Sequence, residues 1–266
     1  MIERFSFQEV LPGVYHIQDA MGVHCTLLVG REEALLFDTG YGLYDVRAAV
    51  TEITPLPVHV LLSHGHHDHA CGAVWFDQAW IHPADAALLA GYLGKESRER
   101  VLKQARARNA LGAGYDELAY ATMGAGNIQP VPDYAMDLGS MEVRVLPVPG
   151  HSAGSLCAYV PSRRLLLTGD NWNPTTWLFF RESASVRQYA QCMRAMDLSG
   201  VDYALASHEG SLVPGERLRQ HVMGLTEEAF RQAQPDDVGR HYGIRTMSCH
   251  PEPGTALIFD ADRYTD

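Results

Sequence analysis

Between residues 61 and 69 the chain reads Leu-Leu-Ser-His-Gly-His-His-Asp-His, with four imidazoles and a carboxylate inside six residues. The cluster begins where the apolar run Val58 to Leu62 ends, and a short apolar run of this kind suits a buried strand. A turn at the carboxyl end of such a strand points alternate side chains into one cavity. Neutral imidazole and carboxylate are ordinary zinc ligands, at about 2.0 to 2.2 Å. His64 and His66 alternate in this way, while Asp68 and His69 carry the chain toward a second position.

Three or four ligands per ion require donors from elsewhere. Gly150-His151-Ser152, Thr168-Gly169-Asp170 and Ser207-His208-Glu209 supply them, each after a strand reading, with small neighbours that permit sharp turns and close backbone approach. The set His64, His66, Asp68, His69, His151, Asp170 and His208, seven donors in this order, suffices for two metal ions.

This order resembles the metal signature of the metallo-β-lactamase-fold hydrolases, and the resemblance covers nearly the whole chain. It implies an α/β fold, the αββα sandwich of two mixed β-sheets flanked by helices. It implies that His64, His66 and His151 hold one ion, that Asp68, His69 and His208 hold the other, and that Asp170 bridges them. The cofactors expected are two divalent metal ions, zinc by default, with iron or manganese as alternatives for a His/Asp site. Leu35-Leu36-Phe37-Asp38-Thr39-Gly40 is similar to a further family motif, in which the aspartate orients a metal-binding histidine, so Asp38 is expected beneath the site. Two such ions hold a bridging hydroxide and polarise an electrophilic oxygen. The expected function is therefore dinuclear, metal-dependent hydrolysis, with Asp68 and Asp170 as the catalytic residues.

The target expected is an ester, lactone or thioester of a small molecule, with a small phosphodiester as the alternative. Asn173 stands where acyl-homoserine lactonases of the fold often place a tyrosine, and Asp170 stands where zinc β-lactamases commonly have a cysteine or no ligand. A β-lactamase is thus less expected, and so is a non-hydrolytic metal or redox module, because flavodiiron relatives carry Glu at the position of His66. Trp172, Trp177, Leu178, Phe179 and Phe180 either wall a substrate pocket or form core or an oligomer contact. Trp172, Asn173 and Tyr41 are the pocket candidates. His67, within the motif but at a position the family does not use for ligation, is left out of the ligand set. The scattered His16, His24, His59, His82, His221, His241 and His250 read as structural, and Cys71 as buried packing.

Periodicity predicts strands over Val14 to Gln18, Cys25 to Val29, Ala34 to Phe37, Ala79 to Ile81, Glu142 to Val148, Ser155 to Val160, Leu165 to Thr168, Tyr203 to Ala206, Gly243 to Met247 and Ala256 to Phe259. Helices are expected over Leu43 to Ile53, Ser185 to Met196 and Glu216 to Ala233, with a helical insertion around 84–128 broken near Gly94. Residues 112–133 read as a segment covering a site or a surface connection. The whole, 1–266, is read as a single domain.

The formal charge of −11 and the lack of a dense Lys/Arg run disfavour nucleic acid, leaving a small-molecule substrate as the expected partner. A homo-oligomer is compatible with the sequence. Five widely spaced cysteines without a CxxC pair, no signal-like start and no long apolar run predict a cytoplasmic protein that does not enter a membrane.

Overall fold

The computed structural model describes residues 4–264. The chain divides into two compact units, Met1–Arg144 and Val145–Asp266.

In the first unit a seven-stranded mixed sheet runs in sequence order. Strands β1 (Ser6–Leu11), β2 (Val14–Gln18), β3 (His24–Val29) and β4 (Ala34–Phe37) form an antiparallel meander. β4, β5 (Val58–Leu61), β6 (Ala79–Ile81) and β7 (Ile128–Pro130) then follow in parallel. Parallel neighbours need a crossover, and helix α1 (Arg47–Ile53) supplies the first, burying Ala49 and Val50 in one cluster with Leu27, Leu36 and Val60. The histidine turn contains α2 (His67–Ala70). The insertion expected around 84–128 holds α3 (Ala86–Tyr92), α4 (Lys95–Ala107) and α5 (Glu117–Ala121). Arg98 pins it from inside: the fully buried guanidinium donates to the carbonyls of Leu93 and Gly124 and lies 5.1 Å from the Tyr120 ring centroid. An antiparallel pair, β8 (Ala135–Asp137) and β9 (Glu142–Pro147), leads out of this unit.

In the second unit β10 (Leu156–Val160) pairs antiparallel with β11 (Leu165–Gly169). A further four-stranded sheet is formed by β12 (Thr175–Leu178) with the late strands. The crossover helix α6 (Val186–Ala195) connects to β13 (Tyr203–Ala206), parallel to β11 and edged by β14 (Val213–Pro214). The helix expected over Glu216 to Ala233 is in fact two, α7 (Gly215–Gly224) and α8 (Glu227–Arg231). Gly224 ends the first, and the Pro251 carbonyl packs so close that a Cβ there would stand 1.8 Å from its oxygen, so only glycine fits. Thr226 then starts a new helix by accepting a hydrogen bond from the Ala229 amide at 3.1 Å. The remaining strands are β15 (Gln234–Asp236), β16 (Thr246–Cys249) and β17 (Ala256–Asp260). β16 starts later than expected from Gly243 because Gly243 itself takes a left-handed turn, φ +71°.

Trp172 is fully buried in the core of this unit with Tyr189, Leu218 and Phe259. Of its two sequence readings, core is the observed one. His221 on α7 is also fully buried, 3.0 Å from the Tyr189 hydroxyl, and burial pulls its pKa down to about 3. An unfolded histidine titrates near 6.5, so between pH 6.5 and 3 the unfolded chain holds a proton that the folded chain lacks. Stability through this group is therefore complete above that window and lost as pH falls. Acidification from pH 7 to 5 is expected to cost about 2 kcal/mol through His221. Urea unfolding at both pH values checks this, and His221→Gln is expected to remove that part of the slope; an unchanged slope would contradict it.

Among the described residues, no helix is long and apolar enough to cross a membrane.

Candidate functional site

Seven side chains able to offer a ligand atom belong to candidate metal-binding His/Asp groups: His64, His66, Asp68, His69, His151, Asp170 and His208. Four lie in the first unit and three in the second.

In the first unit, β5 lies between its parallel neighbours β4 and β6 and ends at Leu61, so the chain emerges at the carboxyl edge of the sheet. Asp38 emerges beside it from β4 in a left-handed conformation, φ +67°, which side chains other than glycine rarely adopt and which Asp tolerates better than most. The carboxylate is wholly buried and gathers three donors. Oδ1 accepts from the Ser63 amide at 2.7 Å, while Oδ2 accepts from the Ser63 hydroxyl and from His69 Nδ1, each at 2.9 Å. The Ser63 hydroxyl, its one proton given to Asp38, accepts in turn from His64 Nδ1 at 2.9 Å. One aspartate thus places the proton of two imidazoles on Nδ1 and the lone pair on Nε2, the state a metal ligand needs.

His66 is set by its neighbours. The Gly65 amide donates to Asp85 Oδ2 at 2.9 Å, and the His66 ring meets Tyr92 edge to face at 5.3 Å. The packing around Gly65 is tight: a Cβ would stand 3.0 Å from both the Asp85 carbonyl oxygen and the Leu89 amide nitrogen. Asp68 Oδ2 is 3.6 Å from His69 Nε2. His67 stacks on Tyr92 at 5.1 Å and meets Tyr41 edge-on at 5.2 Å, and burial pulls its pKa below the ordinary value, keeping it neutral. Tyr41 packs with Leu43, Val101 and Leu102, and burial together with the nearby Asp68 charge pushes its phenol far up, so it stays protonated. The Cys71 thiol, pushed up to about 12 by burial, stays protonated too.

In the second unit, His151 stands in the turn before β10. Its Nδ1 donates to the Trp177 carbonyl at 2.7 Å; a carbonyl only accepts, so here again the lone pair is on Nε2. The His151 amide donates to Asn171 Oδ1 at 3.0 Å, and Asn171 Nδ2 donates to the Val148 carbonyl at 2.7 Å. Gly150 makes this possible, because a Cβ there would lie 2.7 Å from Asn171 Oδ1. Asp170 follows β11, and His208 follows the parallel β13. Asp170 Oδ2 lies 3.2 Å from His208 Nε2 and 3.7 Å from His151 Nε2. Asn173 Nδ2 donates to Asp170 Oδ1 at 3.1 Å, so Asn173, a pocket candidate in the sequence, holds the carboxylate.

Ser63, Asp85, Asn171 and the Trp177 carbonyl were not singled out from the sequence. Ser63 and Asn171 carry a local signal, each being adjacent to a donor at a strand end. Asp85 and the Trp177 carbonyl act through contacts remote in sequence; Trp177 stands out in sequence only for its ring.

Comparison with known proteins gives the family. Residues 19–208 match the model of the Metallo-beta-lactamase superfamily, and the chain belongs to that superfamily. It is a hydrolase with that fold, mixed sheets flanked by helices. The relatives include Acyl-coenzyme A thioesterase MBLAC2 of Bos taurus, 25% identical over 78% of this chain and 82% of that protein. The Homo sapiens protein of the same name is 24% identical over the same shares. Among solved structures, the DIM-1 metallo-beta-lactamase superposes with a TM-score of 0.60 at 15% identity, over 85% of this chain and 98% of that one. The sec-alkylsulfatase Pisa1 from Pseudomonas sp. gives 0.61 at 18% identity, over 83% of this chain but 40% of the longer sulfatase.

Proposed function

We propose that the protein is a metal-dependent thioesterase, converting a small acyl thioester and water to a carboxylic acid and a thiol. The observation that carries the metal dependence is the proton pattern of His64, His69 and His151, each with Nδ1 donating to the protein and Nε2 left as the ligand atom. The choice of thioester over ester or lactone rests on the activity named for the curated relatives.

The donor set fits two divalent ions, zinc first. His64, His66 and His151 would hold one, Asp68, His69 and His208 the other, with Asp170 shared. Bound there, the ions would supply an activated water and polarise the substrate carbonyl. The protein's own residues do the rest. Asp38, Ser63 and the Trp177 carbonyl fix the imidazoles, Asn173 fixes Asp170, and Asp68, partly exposed beside His69, takes and returns the proton moved between water and the leaving thiolate. The same proposal takes the protein to be one domain acting on a small molecule in the cytoplasm. The net charge of −11 and five free cysteines, four of them buried, support that setting.

Initial rates on a matched thioester, ester, lactone, β-lactam and phosphodiester test this, using chelator-stripped and zinc-restored protein. Thioester turnover is expected to vanish on stripping and return with two equivalents of zinc. Undiminished turnover by stripped protein would end the metal reading, and cleavage of the phosphodiester alone would replace the thioester.

A further inference from the structure

We infer that Trp177, Phe180 and Tyr242 form an acyl-binding wall beside His151, taking the apolar chain of the substrate; the inference rests on the thioesterase reading. Along β12 the side chains alternate: Thr176 and Leu178 are buried while Trp177 is turned to the other face, only half-buried. Phe180 follows the strand end. Tyr242 arrives from a remote turn, Val238–Tyr242, that Gly243 closes with its left-handed φ of +71°. Ring centroids are 6.0 Å apart for Trp177 and Phe180, 6.3 Å for Trp177 and Tyr242, and 5.3 Å for Phe180 and Tyr242.

Trp177 and Phe180 are half-buried and Tyr242 is 52% exposed, and all three rings rest on the fully buried Phe179, at 5.1, 4.6 and 5.6 Å between centroids. Three neighbouring aromatic rings that each keep part of their surface accessible offer an apolar binding surface. Its position says for what. Phe180 meets the His151 imidazole edge-on at 5.8 Å, and Trp177 both contributes a ring and orients His151 through its carbonyl. A group docked on this wall therefore begins next to a candidate ligand. Both arms of a thioester are bonded to the carbonyl carbon, and the apolar acyl chain is the arm that gains by burial against aromatic rings. A buried methylene is worth about fourfold in affinity.

The test uses acetyl, butyryl and octanoyl thioesters of one small thiol, with the zinc-loaded protein and its Tyr242→Ala and Phe180→Leu variants. In the unaltered protein kcat/KM is expected to rise at least about 100-fold from acetyl to octanoyl. Both variants are expected to lower that octanoyl-to-acetyl ratio at least tenfold, mainly through KM. Alongside, octanoate is titrated against tryptophan fluorescence, with weaker binding expected in Tyr242→Ala. A flat chain-length profile, or variants that leave the ratio unchanged, would overturn the wall. If no thioester of any length is cleaved, the thioesterase reading falls instead. The octanoate titration then decides the wall alone: binding weakened by Tyr242→Ala supports it, and no binding or unaltered binding overturns it.

Discussion

Asp170→Asn is expected to lower kcat by about 10³-fold or more while leaving the fold intact. The substitution keeps the shape of a side chain whose Oδ2 stands 3.2 Å from His208 and 3.7 Å from His151 but removes its charge. A shared carboxylate contributes to holding two dications together, and losing several kcal/mol of that charge stabilisation corresponds to three decades in rate. An amide at this place can still accept from Asn173, so the metal-free variant should melt within about 4 °C of the parent. Calorimetry beside single-substrate kinetics checks both halves. A kcat within tenfold of the parent would remove Asp170 from the proposed site, and a collapsed melting temperature would make the loss structural.

Asp38→Asn is expected to strip metal without touching any ligand. Asparagine tolerates the left-handed backbone at φ +67° and can still accept from the Ser63 amide. Its amide nitrogen, however, replaces the oxygen that now accepts from Ser63 Oγ and His69 Nδ1. Facing a donor, His69 must shift its proton to Nε2. The Ser63 hydroxyl turns to accept from the amide, donates to His64 Nδ1 and moves that imidazole's proton to Nε2 as well. Both ligand atoms are then protonated, and metal affinity is expected to fall about 10- to 100-fold. Elemental analysis after dialysis at limiting zinc should show two equivalents per chain reduced to one or none; full retention of two would sink the argument.

The site is unusually legible in the sequence because its parts are local. His64 to His69, Asp170 and His208 each follow a short apolar run, and a strand end with a small neighbour is visible in a few letters. Legibility fails where geometry depends on distant chain. The Asn173-Pro174 pair hides β12, whose partner β17 comes near the end of the chain, and so the sequence cannot say that Trp177 turns outward while Trp172 is core. Nothing near Tyr242 announces that it joins the same aromatic group. The close approach of the Pro251 carbonyl to Gly224 is a contact remote in sequence, and periodicity alone runs the helix straight through that glycine. Asp38 is visible through the resemblance of its motif, whereas the three hydrogen bonds that explain it come from Ser63 and His69, 25 and 31 residues away.

Five of the donors, His64 and His66 with β5, Asp170 with β11, His208 with β13 and His151 in the tight turn before β10, are fixed by hydrogen-bonded strands. The rings of the aromatic wall and the insertion carrying α3 to α5 lie on separate segments of chain. Selection can therefore rewrite the ring side chains while the donors and the groups that hold them are kept. Exchanging the ring side chains at 177, 180 and 242 would retune which acyl group is admitted, whereas Asn173, the Trp177 carbonyl and Asp85, on those same segments, must keep their places for the donors to stay held. For an engineer the same division marks where a library should be built: diversity at Trp177, Phe180 and Tyr242 explores new specificities, whereas diversity at Ser63, Asp38 or Asn171 mostly yields inert protein.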